Sequence, residues 1–402
     1  MSELSITKYF PFMRVRITGQ NVHHQDASSA MIKLSPDLRY RPVCHDCKGL
    51  AATVHSRQHY RLVQDLNMAN AKVWLQVEYR KIWCNICDGV RVELLTFCDA
   101  CRRVTYRLAR YIYQLCKMLT VKDVAEHLDL DPKTVKEIDK GFLEEAFGTT
   151  DYEGLSVLLI DEIALHKGHS YMTVVADYFS GRVVWMGYGR KKETLDEFFM
   201  GMTVEQRQAI DAVAIDMWEP YINRVQHYCP QAHIVFDFFH LVQSFSRVID
   251  NIRRTEYLNA RKEDRKILKG SRYLLLKNEE NLTCPQRSRL KEILELNTTL
   301  SIVYVLKDQL KLLFHYDKRE HVKQALDDWC RMAEQIDHPG VRGFVKRLKF
   351  FEYGIISHAD YPIGTSMLEG INNKIKVIKR KAYGFHDCYY FALKVKQAFA
   401  TG

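Results

Sequence analysis

Three short apolar segments that each end in an aspartate constrain the fold of this chain more than any other feature. They lead into Asp161, Asp216 and Asp237, and β-branched residues are frequent in them. Each segment is too short for an ordinary helix and predicts a buried strand. A carboxylate at the rim of a buried sheet is costly unless it is paired or binds a cation. Together with Glu369, at the start of a predicted helix, these aspartates can converge on one sheet edge and bind Mg²⁺ or Mn²⁺.

The order of the predicted elements around these aspartates indicates a fold class. Strands at 155–161, 171–177 and 182–187 are joined by short turns and predict an antiparallel meander. A helix at 194–202, a strand before Asp216, a helix from Glu219 and a strand before Asp237 follow. The order βββαβαβ is that of the ribonuclease-H-like nuclease fold, an α/β core with a mixed five-stranded sheet. In such a sheet the fourth strand lies beside the first, and the fifth lies one place further out. His166 and His169 are expected to lie in a turn and not to bind a metal.

Paired cysteines predict a metal site in the first hundred residues. Each C-x2-C pair can present two thiolates from a tight turn, and two such turns complete a tetrahedral zinc site. The chain between the pairs alternates like a strand at 72–79, which suits the hairpins of a zinc ribbon. The alternative is four free thiols. The predicted ligands of one structural Zn²⁺ are Cys44, Cys47, Cys84 and Cys87, whereas a third pair, Cys98 and Cys101, is expected to be structural or incidental.

A helix-turn-helix is predicted next. Apolar residues recur at helical spacing over 104–118, and Thr120 with Asp123 forms a capping-box-like start for a second helix. Asp131 caps a third helix that has a proline at its first position. The alternative is a plain helical linker. In a DNA-reading unit the exposed front of the third helix would carry Lys133, Thr134 and Lys136.

The charge of the chain points to a polyanionic partner. Lys and Arg number 59 against 49 acidic residues, which gives a net charge of +10. A protein that is merely basic is the alternative. The sequence has no membrane-length apolar run and no signal peptide, so we expect no membrane partner and a cytoplasmic location.

Residues 246–353 are rich in helix formers and predict an all-helical segment.

Several motifs together resemble one family of enzymes. They are the residues at 160–162 with 167–169, and those at 216–221, 237–240, 367–376 and 379–385. The chain resembles, over almost its whole length, insertion-sequence transposases of the ISL3 group. In these a DDE nuclease core follows a zinc ribbon and a helix-turn-helix, and a helical insertion, which residues 246–353 match, lies between the fifth strand and the last catalytic helix. The resemblance also implies a bacterial, nucleoid-associated location. The resemblance implies a DNA transposase whose metal-binding triad is Asp161, Asp216 and Glu369. Asp237 and His240 match a D-x-x-H signature and are expected to orient groups near the site.

The chemistry of such a site predicts further roles. Two Mg²⁺ or Mn²⁺ ions about 4 Å apart activate the nucleophile and neutralise the leaving oxygen. Asp161 is placed to bridge the ions, whereas Glu162 points to the opposite face of the strand. Glu369 has an alternative role, because Ser366 and Glu369 also match a capping box. Asn373, Lys376 and Arg380 follow at near-helical spacing and are expected to contact the DNA backbone.

The expected organisation has five segments. They are a zinc ribbon at 1–95, a helix-turn-helix at 96–150, a first part of the catalytic core at 151–245, the insertion at 246–355, and a last part of the core at 356–402. Double-stranded DNA is the expected partner, with a homodimer or larger assembly forming on it. The alternatives are a DNA-binding protein descended from a transposase and a structure-specific nuclease.

Overall fold

The fold of the chain comprises two compact units, Met1–Glu145 and Ala146–Gly402. The computed structural model describes residues 10, 12–23, 28–68, 71–100, 102–165, 170–363 and 365–400. Cys101, His166 and His169, whose roles were predicted above, lie outside the described residues. Within the described part of the chain, no helix is both long and apolar enough to span a membrane.

The N-terminal unit begins with a five-stranded sheet. Its strands are β1 (Val15–His23), β2 (Ser29–Pro36), β3 (Thr53–Met68), β4 (Ala71–Cys84) and β5 (Gly89–Val92). The order is β1-β2-β4-β3, and β5 also pairs with β4. The long antiparallel β3–β4 pair lies between the two cysteine-bearing turns, as the alternating pattern of residues 72–79 predicted. Its inward face carries Val63, Val73 and Leu75, which are fully buried.

Three helices complete this unit where the sequence predicted them, although the first is shorter by two residues at each end than the predicted 104–118. They are α1 (Tyr106–Cys116), α2 (Val121–Leu128) and α3 (Pro132–Phe147). Thr120 and Asp123 form the capping box of α2, and the Asp131 carboxylate accepts hydrogen bonds from the first backbone N–H groups of α3. Buried Asp65 on β3 accepts hydrogen bonds from Thr105 Oγ1 and Arg107 Nε, each at 2.7 Å. This network fixes the start of α1 against the sheet.

The C-terminal unit is built on a second, mixed five-stranded sheet. Its strands and their connecting helices are β6 (Val157–Ala164), β7 (Tyr171–Asp177), β8 (Val183–Tyr188), α4 (Lys192–Met200), α5 (Val204–Gln208), β9 (Ala212–Ile215), α6 (Glu219–Tyr228) and β10 (His233–Phe236). The order is β10-β9-β6-β7-β8. β6 pairs parallel with β9 and antiparallel with β7, and β9 pairs parallel with β10. The predicted neighbours of the fourth and fifth strands are therefore confirmed.

One predicted strand end is wrong. β6 does not stop at Asp161 but continues to Ala164, because β7 keeps pairing with it as far as Ala164↔Tyr171. On the other side, β9 pairs with β6 only as far as Leu159↔Ala214. Asp161 therefore lies inside a strand, at the place where one of its two edges becomes free.

The rest of the chain is helical and forms two layers around this sheet. The helices are α7 (Phe238–Asn259), α8 (Asp264–Leu268), α9 (Arg272–Leu276), α10 (Cys284–Leu296), α11 (Thr298–Leu312), α12 (Arg319–Glu334), α13 (Pro339–Phe350), α14 (Glu352–Ile356), α15 (Thr365–Lys381) and α16 (Cys388–Phe399). The predicted all-helical character of residues 246–353 is confirmed. α15 and α16 pack with one face of the sheet, whereas α4, α6, α7 and the following helices share a core with the other.

The helices between β10 and α15 are joined to the sheet through aromatic and backbone contacts. Phe236 at the end of β10 packs edge-on against Phe351, with 5.2 Å between ring centroids. Gly354 on α14 lies so close to the Phe236 ring that a Cβ would stand 2.3 Å from it. Arg347 on α13 donates to the carbonyl of Met217, directly after Asp216, at 3.0 Å. These helices therefore support the chain segments that follow β9 and β10.

Two glycine substitutions test this packing. Gly354→Ala should lower the free energy of unfolding by about 1–3 kcal/mol, because the added methyl overlaps the buried Phe236 ring. Gly343→Ala on α13 is the matched control, since its Cβ meets nothing within 4 Å. Alanine favours the helix there and should raise stability by about 0.5–1 kcal/mol. Denaturant unfolding of both variants measures the difference, and equal effects would contradict the described contact.

Candidate active site

A pocket of about 230 Å³ opens at the edge of the second sheet where β6 loses its pairing with β9. Asp161 reaches it from β6, and Asp216 reaches it from the turn directly after β9. Because β6 and β9 are parallel neighbours, the two carboxylates are brought to the same edge. The residues that line the pocket are Ile160, Asp161, Glu162, Tyr171, Arg190, Asp216, Trp218, Tyr221 and His240.

Hydrogen bonds to both carboxylate oxygens fix Asp161. Oδ1 accepts the backbone N–H of Glu162 at 2.7 Å, and Oδ2 accepts the side-chain amide of Asn372 on α15. Further along α15, Lys379 donates to the carbonyl of Ala164 at 2.9 Å. The helix is therefore joined to β6 at two points, through Asn372 and through Lys379.

His240 lies between the other two aspartates. Its Nδ1 is 3.8 Å from Asp216 Oδ2, and its Nε2 is 3.8 Å from Asp237 Oδ2. The Asp216 side chain is 43% exposed, whereas that of Asp237 is 7% exposed. Asp237 also caps α7 by accepting the Phe239 N–H at 2.7 Å. Asp216 is thus open to the pocket, and Asp237 holds a helix end and faces His240.

The pocket carries unbalanced negative charge. Burial raises the pKa of Glu162 to about 7; Arg190 opposes the rise, and the charges of Asp161 and Asp216 add to it. Burial also raises the pKa of Asp237; His240 opposes this rise, and the same two aspartates add to it. Opposite charge favours ionised carboxylates, so a divalent cation bound between Asp161 and Asp216 would relieve the repulsion. The donor set and its charge fit Mg²⁺ or Mn²⁺.

Glu369 lies on the helix whose Asn372 bonds to Asp161, but it does not line the pocket. It is exposed on α15, one helical turn before Asn372, or about 4.5 Å along the helix axis. Among the described residues, the four cysteines are the only His, Cys, Asp and Glu group whose ligand atoms gather closely enough to hold a metal as they stand. The three acidic residues of the predicted triad are thus not gathered to that degree in this conformation.

The predicted DNA-contacting residues are placed as follows. Asn373, Lys376 and Arg380 are exposed, and their spacing from Glu369 puts all four on one stripe of α15. On α3, Lys133 is exposed, whereas Thr134 and Lys136 are half-buried.

The four predicted zinc ligands lie together at one end of the β3–β4 pair. Their sulfur atoms are within 4.8 Å of one another, with Cys47–Cys84 at 3.4 Å and Cys44–Cys87 at 3.9 Å. A tetrahedral site with zinc–sulfur bonds of about 2.3 Å requires sulfur atoms about 3.8 Å apart. The cluster can therefore hold a metal ion. Cys98 lies elsewhere, buried against Arg61, and burial raises the pKa of its thiol to about 11.

Comparison with known proteins identifies the family. Residues 158–395 match the DDE transposases of family ISL3, and residues 95–142 match the helix-turn-helix domain of the same family. A transposase for insertion sequence element IS1001 from Bordetella parapertussis is 42% identical over 89% of this chain and 88% of its own length. The chain belongs to the ISL3 family of transposases. A transposase for insertion sequence element IS1557 from Mycobacterium tuberculosis is 27% identical over 90% of this chain and 86% of its own length.

The ISL3 transposase has pocket residues that sequence reasoning missed. Glu162 does lie on the opposite strand face from Asp161, with Leu158 and Ile160, yet it reaches the pocket around the free edge of β6. No role was predicted for Arg190, because only its contacts in the fold distinguish it. No role was predicted for Asn372 either, although its carboxamide lies within the motif at 367–376.

Loss of the Asn372 amide should impair the site without unfolding it. Asn372→Ala frees Asp161 Oδ2 from the bond that orients it, and such supporting groups are typically worth about 10- to 100-fold in activity or metal affinity. We expect Mg²⁺-dependent cleavage and Mn²⁺ affinity, the latter measured by titration, to fall together. Thermal unfolding and DNA binding are the controls and should change little. Unaltered metal affinity would contradict a role for this bond.

Proposed function

We propose that this protein is the transposase of an insertion sequence, which binds the terminal inverted repeats of the element and carries out DNA cleavage and strand transfer. One observation carries the proposal: Asp161 and Asp216, from adjacent parallel strands, line one pocket. Each has an oxygen oriented by the backbone, Asp161 through the N–H of Glu162 and Asp216 through that of Met217. Phosphodiester chemistry needs such a pair of fixed carboxylates to hold divalent ions.

The sheet order supports a ribonuclease-H-like core. Three antiparallel strands precede two parallel ones, and the order β10-β9-β6-β7-β8 puts the strands that bear Asp161 and Asp216 side by side. Helical layers lie on both faces. In this proposal the helical insertion interrupts the core between β10 and α15, and α15, which bears Glu369, contacts β6 again through Asn372 and Lys379.

We assign Asp161, Asp216 and Glu369 as ligands of two Mg²⁺ or Mn²⁺ ions. When bound, the ions activate the attacking oxygen and neutralise the leaving oxygen. Asp161, whose two carboxylate oxygens accept from Asn372 and from the backbone of its own strand, would be a fixed ligand of these ions. Asp237 stays buried as the cap of α7 and orients His240.

The position of Glu369 on its helix supports a ligand role. Glu369 is exposed and shares its stripe of α15 with Asn373, Lys376 and Arg380, which we assign to the backbone of the DNA. A rotation of the exposed Glu369 side chain toward Asp161 would complete the triad.

The N-terminal unit supplies DNA recognition in this proposal. α2 and α3 form a helix-turn-helix in which Lys133, Thr134 and Lys136 lie at the front of the second helix, where such motifs enter the major groove. Transposition requires two element ends to be held together, so we propose a homodimer or larger assembly on double-stranded DNA.

We propose that the ion held by Cys44, Cys47, Cys84 and Cys87 is a structural Zn²⁺. The cluster offers four cysteine sulfur donors. Structural zinc sites likewise have four protein ligands, which leave no open position for a substrate. A zinc ribbon at this end of the β3–β4 pair would fix the two turns that carry the cysteines.

Metal analysis tests the zinc proposal. Purified protein should contain about one zinc per chain, as a four-cysteine site requires. Cys84→Ser should lose the metal and lower the melting temperature, because metal binding contributes folding free energy. Cys284→Ser, which removes an exposed thiol from α10, is the matched control and should keep both. Zinc-free wild-type protein isolated under reducing conditions would contradict the proposal.

Two aspartate variants test the catalytic assignment. Asp216→Asn should abolish Mg²⁺-dependent cleavage of element ends, because a metal ligand is lost, while DNA binding persists. Asp237→Asn should leave measurable activity, reduced about 10- to 100-fold, because Asp237 acts through His240. Cleavage assays and binding assays on the same end duplex compare them. An inactive Asp237→Asn beside a normal Asp216→Asn would reverse the two roles.

A further inference from the structure

The pocket contains a cation that the proposed metal chemistry does not use. Arg190 follows β8 and lines the pocket together with Asp161, Glu162 and Asp216. Among the described lining residues it is the one side chain that keeps a positive charge at all ordinary pH values. The carboxylates repel a DNA phosphate that approaches the pocket. A fixed guanidinium beside them can bind that phosphate through charge-assisted hydrogen bonds.

The turn that presents Arg190 is fixed by several contacts. Gly189 has a φ of +107°, in the region that favours glycine, and a Cβ there would lie 2.9 Å from Thr194 Oγ1. The Gly189 N–H donates to the carbonyl of Tyr171 at 2.8 Å, and its own carbonyl accepts from Thr173 Oγ1 at 2.9 Å. Thr173 Oγ1 is also 2.6 Å from Tyr221 OH. The chain therefore leaves β8 in one direction, toward the pocket.

The guanidinium is supported on one face and weakly paired. The central carbon of the guanidinium lies 4.3 Å from the centre of the Tyr171 ring, in a cation–π contact that restrains the position of the group. The nearest carboxylate oxygen, Glu162 Oε2, is 4.0 Å from Nη1, beyond hydrogen-bonding distance. The side chain remains 46% exposed. Its planar donors are thus oriented and still available for a bidentate acceptor.

We propose that Arg190 binds a backbone phosphate of the DNA strand in the active site, at the linkage that is cut. The proposal rests on the proposed function, since it concerns the substrate of the same pocket. In it, the acidic residues hold the divalent ions on one side of the phosphate and Arg190 contacts it from the β8 side. Arg190 is accordingly a substrate-binding residue, and Tyr171 positions it.

A double-mutant cycle with modified DNA tests this contact. Two end duplexes are compared, one ordinary and one with an uncharged methylphosphonate at the cleaved linkage, and binding is measured without added Mg²⁺ or Mn²⁺. Arg190→Ala should weaken binding of the ordinary duplex about 10-fold, the typical worth of a hydrogen bond to a charged group. It should weaken binding of the methylphosphonate duplex less than about 2-fold, because the contact is already absent.

Lys191→Ala is the matched control. It removes a positive charge from the next residue, which is exposed and does not line the pocket, so any effect should be equal on both duplexes. Arg190→Gln, which keeps a polar side chain but removes the charge, should behave like Arg190→Ala, and thermal unfolding measures whether the variants are folded. Equal effects of Arg190→Ala on both duplexes, or none on either, would overturn the assignment. Wild-type protein that binds no element end would instead overturn the proposed function.

Discussion

Repulsion between carboxylates at the free edge of β6 is the constraint on which the catalytic unit depends. Burial raises the pKa values of Glu162 and Asp237, and the charges of Asp161 and Asp216 contribute to the same rise, so the four carboxylates interact across the pocket. Because these carboxylates repel one another, contacts from neighbouring strands and helices must hold them in place. β7 continues along β6, the insertion reaches the turn after β9 through Arg347, and α15 reaches Asp161 through Asn372.

Much of this fold could be predicted from local patterns. The apolar segments before Asp216 and Asp237 gave the bounds of β9 and β10, because such segments have few alternatives in a buried sheet. Capping residues gave the starts of α2 and α3. The end of β6 was not predictable in the same way. Its length depends on how far β7 runs beside it, which no residue near Asp161 specifies.

The site was predicted in part, for a similar reason. A carboxylate at the end of an apolar strand is visible in the sequence, and so is a pair of C-x2-C turns. The cysteines were predicted to lie together, and they do. The roles of Arg190 and Asn372 depend on contacts with the Tyr171 ring and the Asp161 carboxylate, which exist only after the sheet and helices have assembled.

The bonds from α15 to β6 join residues 211 and 215 positions apart, which bears on how the protein is made. A ribosome that has released the whole five-stranded sheet has not yet made the helix that bears Glu369 and Asn372. If the proposed function is correct, a nascent chain contains its helix-turn-helix first, and the helix α15 that completes the active site is synthesised last. A product that stops within the insertion keeps the separate N-terminal unit and lacks α15. Such a truncated product would bind the element ends without cleaving them. It would therefore compete with the full-length enzyme for the same DNA.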